Sequence, residues 1–259
     1  MNLIANYSVI DNKRFNQFTM NFIINKLYNI YIYILLKINH LLLQMENHDY
    51  ILLIMNCKKY YKKAEYQKKT WLLNLPSYIK FYHVIGEEDL DCDYTFDHRE
   101  NVLFVKTADD YNSLPKKVVA AYNALYNTFN FKYIYKTDDD QILVKPKFFD
   151  TLKGLIDQRS NIHYGGYIIN VTKNHLSQYH KIHPELPANL PILQTKYCSG
   201  RFYFLSKEAT ECVIRKQEKI GKEYFEDYAV GYHLDETFKT NMLGITTNVI
   251  FRDIEESKI

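Results

Sequence analysis

The chain is poor in several things that would narrow its class at once. It has only 8 glycines and 6 prolines among 259 residues, with no internal repeat and no low-complexity tract, which excludes fibrous and collagen-like architectures. Four cysteines, Cys57, Cys92, Cys198 and Cys212, stand far apart with no CxxC pair and no Cys/His cluster, so the spacing of a structural zinc site is missing. Disulfides stay open as a possibility, because thiols at this density occur in oxidising and reducing compartments alike. Charge of either sign is not in excess: 33 basic residues face 30 acidic ones, and nothing in that balance calls for a nucleic-acid partner. A long hydrophobic run is also missing. The best candidate, residues 27–36, is flanked by Lys26 and Lys37 and interrupted by Asn29, whereas a spanning helix needs about 20 mostly apolar residues. An interfacial helix or a leader is the preferred reading of residues 1–47, with a membrane anchor as the alternative.

What is present is a chain that is 47% hydrophobic, enough for a substantial core. Its 24 tyrosines, with recurrent Asn, Ile and Lys, read as the bias of an AT-rich genome, such as that of a large DNA virus or a protist. Asn6 and Asn170 head glycosylation sequons, which matter only in a secretory lumen. Localisation follows the same fork: an endoplasmic reticulum or Golgi membrane if the N-terminal segment anchors the chain, the cytoplasm, or a host's cytoplasm, if it does not.

From residue 50 onward strand-like runs alternate with helical ones, the pattern of a mainly parallel sheet flanked by helices, and one domain is expected over residues 48–259. Ile51-Leu-Leu-Ile-Met55 reads as a buried first strand, residues 58–74 as a basic helix, and residues 79–85 and 102–105 as the next two strands. Ser113 is expected to cap a helix with Pro115 in its first turn and Val118, Tyr122, Leu125, Tyr126 and Phe129 on one face. A further helix is expected from Pro146 through Ile156, a strand over residues 164–169, a proline-bearing loop, a strand after Cys198, and a closing strand over residues 244–251.

Phe131-Lys-Tyr-Ile-Tyr-Lys-Thr-Asp-Asp-Asp140 dominates the reading. Its alternation is that of a strand, and it delivers Asp138, Asp139 and Asp140 to the rim of a sheet, where ligands of open α/β sheets bind. Three adjacent carboxylates repel one another, and Mg²⁺ or Mn²⁺ bound by one or two of them together with substrate phosphates would relieve that repulsion. A solvated acidic turn is the plainer account of the same three residues.

The pieces together resemble the β-1,3-galactosyltransferase and fringe-type glycosyltransferases. The segments that carry the resemblance run in order over about four-fifths of the chain: Lys69-Thr-Trp71, Phe81-Tyr-His-Val-Ile-Gly86, Asp110-Tyr111-Asn112 with Leu114 and Lys117, the strand ending in Asp138-Asp-Asp140, Tyr197-Cys-Ser-Gly200 with Leu205-Ser206, and Glu226-Asp227 with Val230-Gly231. The resemblance implies a GT-A fold, a UDP-sugar donor, a glycan or glycoprotein acceptor, Mn²⁺ or Mg²⁺, and inverting transfer that forms a β-1,3 linkage. It makes Asp140 the direct metal ligand, Asp138 an aid to the ribose or metal shell, and Asp139 an orienter of the turn or sugar. Asp227 becomes the general base with Glu226 as its alternative, although acids at a helix start also complement the helix dipole. Asp110 and Lys69 join the donor side, with a helix-start acid and a surface lysine as their plainer accounts, while Trp71 is expected in the core. Cys198, Ser199, Gly200 and Arg201 join the acceptor side, and the Gly165-Gly166 and Ser199-Gly200 pairs are expected to allow close backbone approach to substrate, although bare turns need glycine too.

Two departures stand out. Arg201 replaces the second glycine of the acceptor-side segment, and no histidine follows His233, where the family places a metal-binding one. A glycosyltransferase fold that binds nucleotide or glycan without turnover is therefore the alternative reading. A two-metal nucleotidyltransferase or nuclease is a further rival, for which only Glu226 and Asp227 offer additional acids.

Overall fold

The computed structural model describes residues 26–28, 30–34 and 45–255. Residues 26–28 and 30–34 are helical and belong to a unit separate from the one that starts at Asn47. Asn6 and part of the 27–36 run lie outside the described residues, and among the described residues no helix is long and apolar enough to cross a membrane.

The unit from Asn47 is built on an eight-stranded sheet. Its centre is β1 (Tyr50–Met55), a run of apolar, mostly β-branched or aliphatic residues buried along its whole length. β1 pairs in parallel with β2 (Ile79–Gly86) on one side and with β5 (Tyr133–Asp138) on the other. Beyond β2 lie β4 (Val102–Val105), parallel, and β3 (Tyr94–Asp97), antiparallel at the edge. Beyond β5 comes β8 (Thr195–Ser206), which is antiparallel both to β5 and to β7 (Tyr164–Val171), and the short β9 (Leu243–Gly244) closes that side in parallel with β7. The expected parallel order thus holds for the block β5-β1-β2-β4, with β8 inserted against it.

Alternation along β1 splits the core in two. Ile51, Leu53 and Met55 join Val118, Tyr122 and Leu125 of α2 (Leu114–Thr128), Ala209 and Val213 of α4 (Lys207–Arg215), and Ala229 and Val230 of α5 (Glu226–His233). Tyr50, Leu52 and Ile54 face the other way, onto Phe149, Leu152 and Ile156 of α3 (Phe148–Asp157) and onto Trp71 and Leu72. Trp71 is core, as expected. Each such Val, Leu, Ile or Phe contributes about 1.5–3 kcal/mol on full burial, so helices on both faces are held chiefly by this apolar stripe.

Local chemistry moves some boundaries. The basic helix is α1 (Tyr61–Lys69), bounded by 3-10 turns at Lys58–Tyr60 and Trp71–Asn74. α3 starts at Phe148 rather than at Pro146. α2 follows Ser113, but that hydroxyl makes no capping bond; the Asp110 carboxylate accepts from the Ser113 N–H at 2.8 Å instead. Ser206 does cap α4, accepting from Ala209 N–H. The single closing strand expected over 244–251 is corrected to two pieces in different sheets. β9 ends at Gly244, and β10 (Phe251–Asp253) pairs antiparallel with β6 (Gln141–Leu143), directly after the three aspartates.

Candidate active site

Asp138 ends β5, and β8 runs beside it in the opposite direction. The C-terminal end of one strand therefore meets the first half of the other, where the register slips between Cys198 and Tyr203. That bulge carries Ser199, Gly200 and Arg201. α5 begins over the same rim with Glu226 and Asp227 in its first turn.

The residue that ties these pieces together is Lys136. Its side chain is 1% exposed, and its ammonium donates to Asp138 Oδ1 at 2.7 Å, to Glu226 Oε2 at 2.8 Å and to the Gly200 carbonyl at 3.0 Å. Burial works against its charge, but the two carboxylates more than offset that and hold the pKa above the usual lysine range. Glu226 is buried and also accepts from the Tyr203 hydroxyl, which lies 2.6 Å from the hydroxyl of Tyr122. Burial raises the Glu226 pKa against the pull of Lys136. Asp227 accepts from Gly200 N–H at 2.9 Å through Oδ2 and from Tyr228 N–H at 2.7 Å through Oδ1. Its pKa is also raised, by burial first, with Lys136 and these two N–H groups pulling the other way. A carboxylate with a raised pKa is the more competent base near neutral pH.

The three acids at the end of β5 are arranged unequally. Burial lifts Asp138 to about 6 despite Lys136, and lifts Asp139 to about 7 despite Lys63, whose ammonium lies 3.3 Å from Asp139 Oδ1. In both, the neighbouring Asp140 charge adds to the rise. Asp140 accepts from Gln141 Nε2 at 2.7 Å, and its backbone carbonyl accepts from Ile254 N–H. The same Gln141 amide donates to Asp253 at 2.9 Å, so β10 is fastened to the acidic turn. Beneath it, Gln67 Nε2 donates to the carbonyls of Asp138 and Gln141. Its Oε1 must then accept from His83 Nε2, 3.0 Å away.

Among the described residues no three His, Cys, Asp or Glu side chains gather as a metal cage. Asp138 and Asp140 remain as two neighbouring carboxylates, and the Asp140 charge raises the proton affinity of Asp138. Such a donor set fits a hard cation shared with a diphosphate, which needs only one or two protein carboxylates, and does not fit one caged by protein alone.

Asp138, Asp139, Asp140, Gly200, Glu226 and Asp227 are thus brought together, and Ser199 lies on the same bulge. Four expected contributors are placed otherwise. Cys198 is fully buried in the core beneath the bulge, where its backbone N–H donates to the Tyr164 hydroxyl at 2.8 Å. Arg201 is drawn to β10, pairing with Asp253 at 2.9 Å and donating to the Phe251 carbonyl. Asp110 is exposed at the start of α2, and the inward carboxylate is its neighbour Asp109, which accepts from the N–H groups of Gly86 and Lys58 and from buried Lys117. Lys69 is on the outer side of α1, its side chain 76% exposed beside Glu65. Gly165 and Gly166 do allow close approach, but by β8 and β9: a methyl at Gly165 would lie 2.4 Å from the Phe204 ring.

Lys136 and Tyr203 were not singled out by sequence, although a period of two places Lys136 on the same strand face as Asp138. Nor was the aromatic stack that fastens the proline-bearing loop near the site, with His183 stacked on Tyr111 and on Tyr179 at centroid distances of 4.7 and 4.8 Å.

A model of the family described as Galactosyltransferase matches residues 62–238. Among solved structures, a glycosyltransferase involved in the glycosylation of the major capsid of PBCV-1 is 13% identical, with 66% of this chain covering 65% of that one at a TM-score of 0.37. The glycosyltransferase GlyE of Streptococcus pneumoniae TIGR4 is 11% identical, with 78% of this chain covering 47% of that one at a TM-score of 0.43. The chain therefore spans less than two thirds of either. No curated protein matches.

Proposed function

Because the chain belongs to the galactosyltransferase family, we propose that it moves a hexose or N-acetylhexosamine from a UDP-sugar to a hydroxyl of a glycan or glycoprotein, with inversion and a β-1,3 linkage. One observation carries the reading. A methyl group added at Gly200 would lie 3.4 Å from Lys136 Nζ, 3.5 Å from Asp138 Oδ2 and 3.6 Å from Asp227 Oδ2, so the donor-side acid and a second carboxylate converge on the same point beside Gly200. That is the arrangement a single displacement needs.

Asp227 takes the proton from the acceptor hydroxyl as the new bond forms at the anomeric carbon, while the bond from that carbon to the diphosphate breaks. Attack in line from the face opposite the diphosphate inverts the configuration. Asp140 and Asp138 would hold Mn²⁺ or Mg²⁺, which when bound supplies charge neutralisation for the departing diphosphate. Asp139, held by Lys63, sets the turn. Gly200, without a side chain, lets the two carboxylates converge beside its backbone, and its N–H keeps Asp227 turned toward it.

The test is UDP release from UDP-galactose, UDP-glucose, UDP-N-acetylglucosamine and UDP-N-acetylgalactosamine, with Mn²⁺ and then with chelator. Metal-dependent release from one sugar is expected. Asp140→Ala should lose metal-dependent UDP binding, and Asp227→Asn should keep UDP binding while release falls about 10²- to 10⁴-fold. Normal release by Asp227→Asn refutes the base assignment. UDP binding without release from any sugar would leave a nucleotide-binding protein.

A further inference from the structure

Lys136 has three N–H groups and spends each on a different element: Asp138 on β5, Glu226 on α5, and the Gly200 carbonyl on the β8 bulge. Asp227, the base in the reading above, does not touch Lys136. It is nevertheless held from both sides by groups that do, since its Oδ2 accepts from Gly200 N–H and its neighbour Glu226 anchors the first turn of α5. We propose that Lys136 is the positioning residue that sets the base Asp227 at a fixed separation from the donor-side carboxylate Asp138, through Gly200 and Glu226.

The geometry favours this over simple charge compensation. A lysine that only neutralised two buried acids would need contacts to them alone. Here the third bond goes to the carbonyl of the very residue whose N–H grips Asp227, and the Tyr203 hydroxyl fixes the other oxygen of Glu226. An ammonium donates in three directions from one atom, whereas a guanidinium is a planar fork. Arginine therefore keeps the charge but cannot reproduce the tripod, and it supplies the variant that separates charge from placement.

The inference rests on Asp227 being the base, and the experiment keeps the two apart. Lys136→Arg, Asp227→Asn and the double variant are made in the full chain. UDP affinity in Mn²⁺ is measured by calorimetry, and UDP release with water as acceptor is measured with the sugar that the wild-type chain hydrolyses. Lys136→Arg should bind UDP within about threefold of wild type and release it about 10- to 100-fold more slowly, the scale of a small misplacement of a reacting group. The double variant should be no slower than Asp227→Asn within about twofold, because a displaced base has nothing left to lose.

Losses that multiply in the double variant, wild-type release by Lys136→Arg, or a UDP affinity that falls in step with the rate each overturn the inference while leaving the base assignment standing. Full release by Asp227→Asn overturns the base assignment itself. If Lys136→Arg does not fold, Tyr203→Phe, which removes one hydroxyl from Glu226 and no charge, must show the same non-additivity with Asp227→Asn, and additive losses refute the proposal. Absence of release by the wild-type chain from all four sugars ends the enzymatic reading and this inference with it.

Discussion

Gly231→Ala should detach α5, the helix that opens with Glu226 and Asp227, from the sheet, although alanine is the better helix former. Gly231 lies in α5 against β8, where an added methyl would be 2.3 Å from Tyr197 Cβ and 2.8 Å from its Cα. Carbon atoms rest about 3.5–4.0 Å apart, so the helix must lift by roughly 1 Å, and the obstacle is strand backbone, which cannot swing away as a side-chain tip can. Alanine gains about 1 kcal/mol in helix propensity, and overpacking costs about 1–3 kcal/mol or more. Because the obstacle is backbone the upper end of that cost applies and the clash wins, with a net loss of about 2 kcal/mol. Gly154 in α3 supplies the control, since nothing lies within 4 Å of a methyl there. Gly154→Ala should instead stabilise by about 0.5–1 kcal/mol. Urea unfolding of the three proteins measures both signs, and UDP release should fall up to about 100-fold in Gly231→Ala alone, because α5 carries Asp227. An unchanged or higher urea midpoint for Gly231→Ala would refute the packing argument.

Two further outcomes follow from buried charge. His83 is 1% exposed and burial lowers its pKa to about 3, so below its unfolded value of about 6.5 only the unfolded chain takes the proton. Its contribution to stability is present above pH 6.5 and is lost as pH falls toward 3, by about 2 kcal/mol between pH 7 and pH 5. His83→Gln, which keeps an N–H for Gln67, should show that much less pH dependence in urea unfolding, and identical profiles would contradict the assignment. Lys117→Met should destabilise by roughly 3 kcal/mol, since it leaves the Asp109 carboxylate and the Asn56 carbonyl without their buried ammonium. A shift under 1 kcal/mol would place that ion pair effectively in water.

The legible parts of this chain are those where one residue type decides the outcome. Ile51 to Met55 can only be a buried strand, Val118, Tyr122 and Leu125 can only face a core, and three aspartates at a strand end can only reach a rim. Less legible were outcomes set by partners distant in sequence. Lys136 reads as a solvent-facing residue of an alternating strand until Glu226 and Gly200 arrive to engage it. β8 carries no local sign that it runs against its neighbours, because strand direction is a property of the connections. The segment 244–251 is apolar enough for one strand, but Gly244 belongs beside Gly166 and Phe251 beside Leu143, so the chain turns between them. Asp109 and Asp110 are chemically equal in sequence, and only the fold turns one inward and leaves the other to hold a helix start.

The fastening of the acidic turn by Asp253 and Ile254 has a consequence for how the chain is made. A ribosome delivers residues 138–140 long before residues 253 and 254, and β5 acquires its β8 neighbour only some sixty residues after it emerges. Until then the three aspartates stand on a half-built sheet edge, without Gly200, Glu226 or β10. Nascent chains stalled before residue 250 should therefore remain digestible around residues 138–143 even after the β1-β2-β4 block has become protease-resistant, and protection there should arrive as a late and single event.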